Sequence, residues 1–182
     1  MYLKSSGLLS ELHNKIILHF APERQFSKHI AAANPARYVR CDLYPTSLEI
    51  QRVDMLAMPF ASSSVDLLIA SHVLEHVEDD RQALTEIHRV LKVGGYAILQ
   101  TPYSRKLHHT WEDAGIADEA ARLQAYGQAD HVRLYGKDIF ERFMSAGFKS
   151  CVRRHADVLA DVDATRLGIN IQEPFFLFQK AK

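Results

Sequence analysis

Short apolar runs alternate with amphipathic helical patterns from the start of the chain, which is typical of parallel strands joined by crossover helices. The run KIILHF (15–20) predicts a first strand. PERQFSKHIAAAN after it predicts a helix with Pro22 at its first position and its end at Asn34. ARYVRC (36–41) and IQRVDM (50–55) predict a second and a weaker third strand, separated by the turn residues DLYPTS. This order predicts a doubly wound α/β fold.

The strongest strand pattern is SVDLLIAS (64–71), which is apolar on both faces, as expected at the centre of a parallel sheet. From Asp79 the pattern becomes helical, with apolar residues on one stripe and with Gly94 and Gly95 as its stop. YAILQT (96–101) then predicts a fifth strand. The alternation of strand and helix therefore continues through the middle of the chain.

A long segment without clear periodicity follows Pro102. Residues 103–135 are dense in His, Asp, Tyr and Trp, and a loop of that length inside a compact domain is usually functional. Its middle, residues 117–126, predicts a short helix, and GKDIFERFMSAG (136–147) predicts a better one. FKSCVRRH and EPFFLFQK supply two last strands. We therefore predict a single domain over residues 1–182, with a lid-like insertion at about 103–135.

Composition and charge narrow the function classes. The chain has 182 residues, 47% apolar and 24% charged, which suits one globular domain. Lys plus Arg equals Asp plus Glu at 22 each, so no bulk field attracts nucleic acid or anionic lipid. No run approaches the ~20 apolar residues of a membrane helix, and the N-terminus lacks a signal-peptide core. Cys41 and Cys151 match neither a disulfide framework nor a CxxC site, which is typical of a reducing compartment. We therefore expect a cytoplasmic protein and, from its charge and hydropathy, no nucleic-acid or membrane partner.

The loops after the first four predicted strands are the candidates for a ligand site. In open α/β sheets, ligands bind beyond the carboxyl ends of the strands, near the point where the strand order reverses. This rule selects HFAPE, CDLYP, VDMLAMPF and SHVLEH. Asp42 is placed to accept hydrogen bonds from both hydroxyls of a ribose, or it only forms an Asx turn. Asp54 is placed to accept from an adenine amino group, or it is an acid at a strand end beside core methionines.

Three blocks carry a family resemblance: VRCDLYP, VDMLAMPFASSSVDLLIASHVLEHVEDDRQALTEIHRVLKVGGYAILQTP and HVRLYGKDIFERFMSAGF. In this order they resemble the motifs of class I S-adenosylmethionine-dependent methyltransferases, type 11 group, over roughly residues 15–179. The resemblance implies a Rossmann-like seven-stranded sheet, mostly parallel with an antiparallel last strand. It also implies transfer of a methyl group from S-adenosyl-L-methionine to oxygen or nitrogen, with S-adenosylhomocysteine as the product.

The resemblance implies that residues at the ends of four strands hold the cofactor. These are His19, Phe20, Ala21, Pro22 and Glu23 after the first, Asp42 and Leu43 after the second, Asp54 and Met55 after the third, and Ser71 and His72 after the fourth. By position, Asp42 serves the ribose and Asp54 the adenine. Ser71 and His72 lie beside the methionine or the substrate.

The loop after the first strand departs from the usual pattern of the family. LHFAPERQ places Ala21, Glu23 and Gln25 where glycines are usual, and His19 where an acid often lies. LHFAPE and GQADHVRLYG resemble instead a subgroup that carries HxAPE and GQxDHVRxYG. We expect Pro22 to begin the helix, and Glu23 in its first turn to meet the cationic methionine end of the cofactor.

Two histidines are candidates for catalysis. Methyl transfer needs the acceptor in line with an activated sulfonium, and hydroxyl acceptors often want a base. His72 follows the fourth strand. His131 lies in the segment expected to cover the acceptor, as a base or acceptor ligand, or as a residue that ties the segment down. This histidine- and tyrosine-rich segment favours a small polar metabolite or a sugar over nucleic acid.

Three alternatives stay open. The order HxxEH, formed by His72, Glu75 and His76, is a zinc-hydrolase signature, but it needs a long helix and follows the strand-like DLLIA. Relatives that methylate ubiquinone precursors carry Glu, Glu and His as metal ligands at the same three positions, although we expect no metal and a corner that Glu75 and His76 orient. The altered first loop also permits a non-catalytic binding subunit with the same fold.

Overall fold

The computed structural model describes residues 2–160, 162–163, 166 and 170–181. Its strands are β1 (Ile16–Phe20), β2 (Arg37–Asp42), β3 (Gln51–Arg52), β4 (Val65–Ala70), β5 (Leu91–Ile98), β6 (Phe148–Ser150) and β7 (Leu177–Lys180). Its helices are α1 (Tyr2–Ser5), α2 (Arg24–Ala32), α3 (Asp80–Val90), α4 (Glu119–Tyr126), α5 (Ile139–Met144) and α6 (His155–Val158). Two short 3-10 helices cover Leu8–Leu12 and Leu74–His76. None of the helices in these ranges is long and apolar enough to cross a membrane.

The seven strands form one sheet in the order β3-β2-β1-β4-β5-β7-β6. β1 pairs in parallel with both β2 and β4, and β5 continues the parallel part. β7 runs antiparallel between β5 and β6. The predicted doubly wound sheet with an antiparallel last strand is therefore confirmed. The strand order reverses between β1 and β4, so the crevice that binds ligands in such folds lies at their carboxyl ends.

The apolar residues of β4 alternate between two cores, one on each face of the sheet. Leu68 and Ala70 pack in the larger core, which also holds the apolar stripe of α3. Leu67 and Ile69 pack in the second core, which the N-terminal segment covers with Leu3, Leu8 and Leu12. This alternation follows from the period of two along a strand, and burial on both faces explains the continuous apolar run.

Helix α3 ends at Val90, so the predicted stop at Gly94 and Gly95 is wrong. The backbone nitrogens of Ser63 and Ser64 donate to the carbonyls of Arg89 and Val90, each at 2.9 Å, and close the helix end. Leu91 then pairs with Val65 as the first residue of β5. At Gly95 a Cβ would lie 2.9 Å from the Lys92 carbonyl oxygen, so the glycine serves close strand packing rather than a helix end.

The predicted third strand is shorter than expected, with only Gln51–Arg52 paired. Asp54 ends it, because its Oδ1 accepts from the nitrogen of Leu56 at 2.8 Å in an Asx turn. β6 and β7 are likewise shorter than their patterns, although Arg153 and Phe175 form an isolated antiparallel bridge beyond them. The two helices predicted after residue 116 are present as α4 and α5.

Candidate active site

The loop after β1 has a glycine-type backbone without a glycine. Ala21 has φ +45°, in the left-handed region that favours glycine. Its nitrogen donates to the carbonyl of Cys41 at 3.0 Å, which fixes the turn against the end of β2. The fold therefore keeps the sharp turn of a glycine-rich loop at the cost of strain at one alanine.

We expect Ala21→Gly to raise the free energy of unfolding by about 0.5–1 kcal/mol, since glycine relieves the left-handed strain by more than it costs in chain entropy. Urea unfolding followed by circular dichroism measures the change. Ala31→Gly, in the exposed middle of α2, is the matched control and should lower the free energy by about 1 kcal/mol. If both variants lose stability alike, Ala21 is not strained.

Glu23 is the N-cap of α2 rather than a residue of its first turn, so Pro22 precedes the helix and the predicted start is wrong. The Glu23 carboxylate makes no cap bond, because its Oε2 lies 3.0 Å from Nε2 of His19. His19 is fully buried, and its Nδ1 lies 2.8 Å from the hydroxyl of Tyr38. Burial acts to raise the pKa of Glu23, but the hydrogen bond with His19 and the charges of His19 and His72 outweigh it and lower the pKa. The loop thus presents an ionised carboxylate.

A cavity of about 830 Å³ opens beside this carboxylate. Glu23 and Ser71 line it together with Gln100, at the ends of the central strands. Its other walls include the aromatic rings of Tyr2, Phe26 and Phe175. The cavity therefore combines charged groups, Glu23 with Glu173 and Lys4, with apolar and aromatic walls, at the crevice that the strand order predicts.

Neither Asp42 nor Asp54 lines this cavity. Asp42 forms the Asx turn that was its alternative role, and Asp54 lies at a strand end beside the buried Met55 and Met58, as its own alternative role has it. Oδ1 of Asp42 accepts from the nitrogen of Tyr44 at 2.8 Å, as Oδ1 of Asp54 does from Leu56. The side chain of Met55 is buried in the larger core, whereas Leu43 is exposed. Their predicted contacts with the ribose and the adenine stay predictions.

His72 has φ +54° and extends into solvent at the end of β4, with 60% of its side chain exposed. Its nitrogen donates to the Gln100 carbonyl at 2.8 Å, and its Nδ1 lies 3.5 Å from Oε1 of Glu75. The interaction with Glu75 raises the pKa of His72, which burial opposes and nearby carboxylates reinforce. Only the short 3-10 turn Leu74–His76 follows, so the helix that the zinc-hydrolase signature needs is missing from this described stretch.

His131 is buried against the same turn. Its ring meets that of His76 edge to face, with 4.7 Å between the ring centres. Burial lowers the pKa of His131, and the neighbouring His76 lowers it further. The ring does not line the cavity, so the structure brings His131 to Glu75 and His76 rather than to Ser71.

Arg133 and Asp80 fasten this segment to the corner after β4, and sequence reasoning missed their role. Arg133 donates to the carbonyls of Leu74, Val77 and Glu78, and its Nε donates to Oε2 of Glu112 at 2.9 Å. Asp80 is 1% exposed and accepts from Arg142 and from the Tyr135 hydroxyl, at 2.6 Å to each. The sequence signal was an arginine inside a buried run, HVRLYG, which calls for buried acceptors.

Comparisons with known proteins point to a methyltransferase domain. Residues 21–99 match the family model of a methyltransferase domain. A methyltransferase of unassigned substrate from Mycolicibacterium paratuberculosis is 31% identical over 104 residues, 53% of this chain and 40% of that protein. The chain thus spans less than half the length of the curated relatives that it matches.

Solved structures share the fold at low sequence identity. An S-adenosylmethionine-dependent methyltransferase from Mesorhizobium loti is 18% identical, with a TM-score of 0.63 over 98% of this chain and 96% of the other. The 1,6-didemethyltoxoflavin-N1-methyltransferase of Burkholderia thailandensis, solved with 1,6-didemethyltoxoflavin and S-adenosylhomocysteine bound, is 13% identical. Its TM-score is 0.64 over all of this chain and 78% of the other.

Proposed function

We propose that the chain is a class I methyltransferase that transfers a methyl group from S-adenosyl-L-methionine to a small polar acceptor at oxygen or nitrogen. The match of residues 21–99 to a methyltransferase domain and the shared fold support this. S-adenosylhomocysteine is the second product. The observation that carries this proposal is the ionised Glu23 carboxylate beside Ser71 in a cavity at the switch point of the sheet. The Burkholderia structure, with S-adenosylhomocysteine and a small acceptor bound, supports the same pair of ligands.

The donor groups of the crevice fit such a cofactor. Glu23 meets the methionine ammonium group, where opposite charges give a charge-assisted hydrogen bond. His19, Phe20, Ala21 and Pro22 shape the turn against which the methionine part packs. Asp42 and Leu43 serve the ribose, Asp54 and Met55 serve the adenine, and Ser71 adjoins the methionine part. The bound cofactor supplies an activated methyl group, so the protein mainly orients the acceptor and excludes water.

His72 is the residue that contacts the acceptor in this proposal. Glu75 lies next to its Nδ1, which leaves Nε2 as the atom that accepts a proton from the acceptor. Neither His72 nor His131 is among the residues that line the cavity. His131 is 5% exposed, so the proposal assigns the acceptor to the more exposed His72, and a role of His131 as the base stays a prediction. Residues 103–135 act as the lid of the single domain. A β-bridge between Tyr103 and Tyr135 joins the two ends of this segment. The free thiols of Cys41 and Cys151 suit a reaction in the cytoplasm. The proposal includes no nucleic acid and no membrane as partner.

Calorimetry with S-adenosylhomocysteine tests the cofactor. We expect binding, and an absence of binding at millimolar ligand sinks the proposal. A turnover screen over hydroxylated and amino metabolites then separates an enzyme from a binding subunit of the same fold. Cofactor binding without any turnover in that screen would favour the binding subunit, which the glycine-free loop motivates.

We expect Glu23→Gln to weaken the binding of S-adenosylhomocysteine about 10- to 100-fold, since a hydrogen bond to a charged group contributes about 1.5–3 kcal/mol. The amide still accepts from His19, so thermal stability should change little. Glu11→Gln, at an exposed position away from the cavity, is the matched control. Equal affinity of all three proteins would remove Glu23 from the site and leave the cofactor itself in place.

A further inference from the structure

Glu75, His76 and His131 form a cluster to which methyl transfer assigns no chemistry. One donor atom from each residue lies within 4.8 Å of the other two. The nitrogen of Val132 donates to the carbonyl of Glu75 at 2.9 Å, so the inserted segment is fixed against the 3-10 turn beside the cluster. The three side chains are therefore brought together by backbone pairing between distant parts of the chain.

Two atoms of the cluster lack the partners that burial requires. Oε2 of Glu75 and Nε2 of His131 are buried and have no hydrogen-bond partner among the described residues. Glu75 is 1% exposed and His131 is 5% exposed, so neither group is well hydrated. A buried carboxylate oxygen and a buried imidazole nitrogen without partners are costly, and a shared cation removes that cost.

His76 is oriented as metal-binding histidines usually are. Its Nδ1 lies 3.2 Å from the backbone oxygen of Asp130 and 3.3 Å from the Oδ2 of that residue. These acceptors place the proton on Nδ1 and leave the lone pair of Nε2 for a ligand, which is the usual outer-shell arrangement. The side chain is 33% exposed, which gives an ion a path from solvent.

We propose that Glu75, His76 and His131 bind a divalent transition-metal ion such as Zn²⁺ through one carboxylate oxygen and two imidazole nitrogens. Nitrogen and oxygen donors of this kind suit zinc, and three protein ligands leave a position for water. Tetrahedral zinc needs donor atoms about 3.4 Å apart, so the three side chains, whose donor atoms now lie within 4.8 Å of one another, must move closer when the ion binds. His131 takes the place that the HxxEH pattern gave to His72, which remains beside the site.

Zinc binding to tag-free protein that has been treated with a chelator tests the site. We expect one Zn²⁺ per chain by calorimetry and elemental analysis, a higher melting temperature with zinc, and visible absorption bands when Co²⁺ replaces it. Glu75→Gln and His131→Ala should each weaken zinc binding tenfold or more, which is at least the effect of removing an outer-shell partner (about 10- to 100-fold). His108→Ala, an exposed histidine of the same segment, should bind zinc as the parent protein does. His72→Ala should still bind zinc, with at most the loss that follows from removing a neighbour of Glu75.

The outcomes separate this site from the proposed reaction. If folded parent protein takes up no Zn²⁺ at micromolar concentration, or if Glu75→Gln and His131→Ala bind it unchanged, the metal site is wrong. If His72→Ala and Glu75→Gln lose the ion while His131→Ala keeps it, the ligand set is the HxxEH set and the proposal is again overturned. Calorimetry with S-adenosylhomocysteine on the same samples reports on the cofactor independently, because none of the three ligands lines the cavity.

Discussion

Asp80→Asn is expected to lower the free energy of unfolding by about 3 kcal/mol at pH 7, the lower end for breaking a buried ion pair, because Arg142 keeps only the partly exposed Glu112 as an acidic partner. The carboxylate accepts from Arg142 through Oδ1 at 2.6 Å and through Oδ2 at 2.7 Å, and from the Tyr135 hydroxyl. Asparagine keeps the shape but offers one acceptor oxygen without charge. Urea unfolding of both proteins at pH 7 measures the loss.

The same variant has a pH signature. Burial acts to raise the pKa of Asp80, but hydrogen bonds from Arg142 and Tyr135 and the arginine charges lower it below the ordinary 3.8. A carboxyl with a lowered folded-state pKa stabilises the protein above its unfolded pKa, and loses that effect as pH falls through the folded value. The difference between parent and variant should therefore shrink from pH 7 towards pH 3.

Asp79→Asn is the matched control for that measurement. Asp79 is the exposed N-cap of α3, where its Oδ1 accepts from the nitrogen of Gln82 at 2.9 Å. Asparagine caps a helix about as well as aspartate, so this neighbour should change stability by less than about 0.5 kcal/mol. Equal losses from the two variants would mean that the Asp80 network contributes nothing beyond helix capping.

The fold follows from the sequence where one local pattern decides it. The apolar run of β4 and the apolar stripe of α3 leave one solution, a central parallel strand with a crossover helix. The end of α3 is different, because Ser63 and Ser64 close it from a loop that is distant in sequence. A helical pattern that continues to the next glycine does not reveal that a distant loop ends the helix earlier.

The site shows the same division between local and distant causes. The position of the loops follows from strand order, so Glu23, Ser71 and His72 fall where the sequence places them. The backbone of Ala21 does not follow from its residue type, because a left-handed turn is normally signalled by glycine. The joining of His131 to Glu75 depends on Arg133 and Asp80, which bond to Leu74 and Tyr135 respectively, each more than fifty residues away in the chain.

We expect His72→Ala to lower kcat about 10²- to 10⁴-fold with an acceptor from the turnover screen, the usual contribution of a positioned proton acceptor. Affinity for S-adenosylhomocysteine should stay within about twofold, since His72 acts on the acceptor and its exposed ring supports no core packing. His13→Ala, another exposed histidine, is the matched control and should keep the parent kcat. A His72→Ala protein with full kcat would show that orientation alone performs the transfer, and a loss confined to cofactor affinity would move His72 to the methionine part of the site.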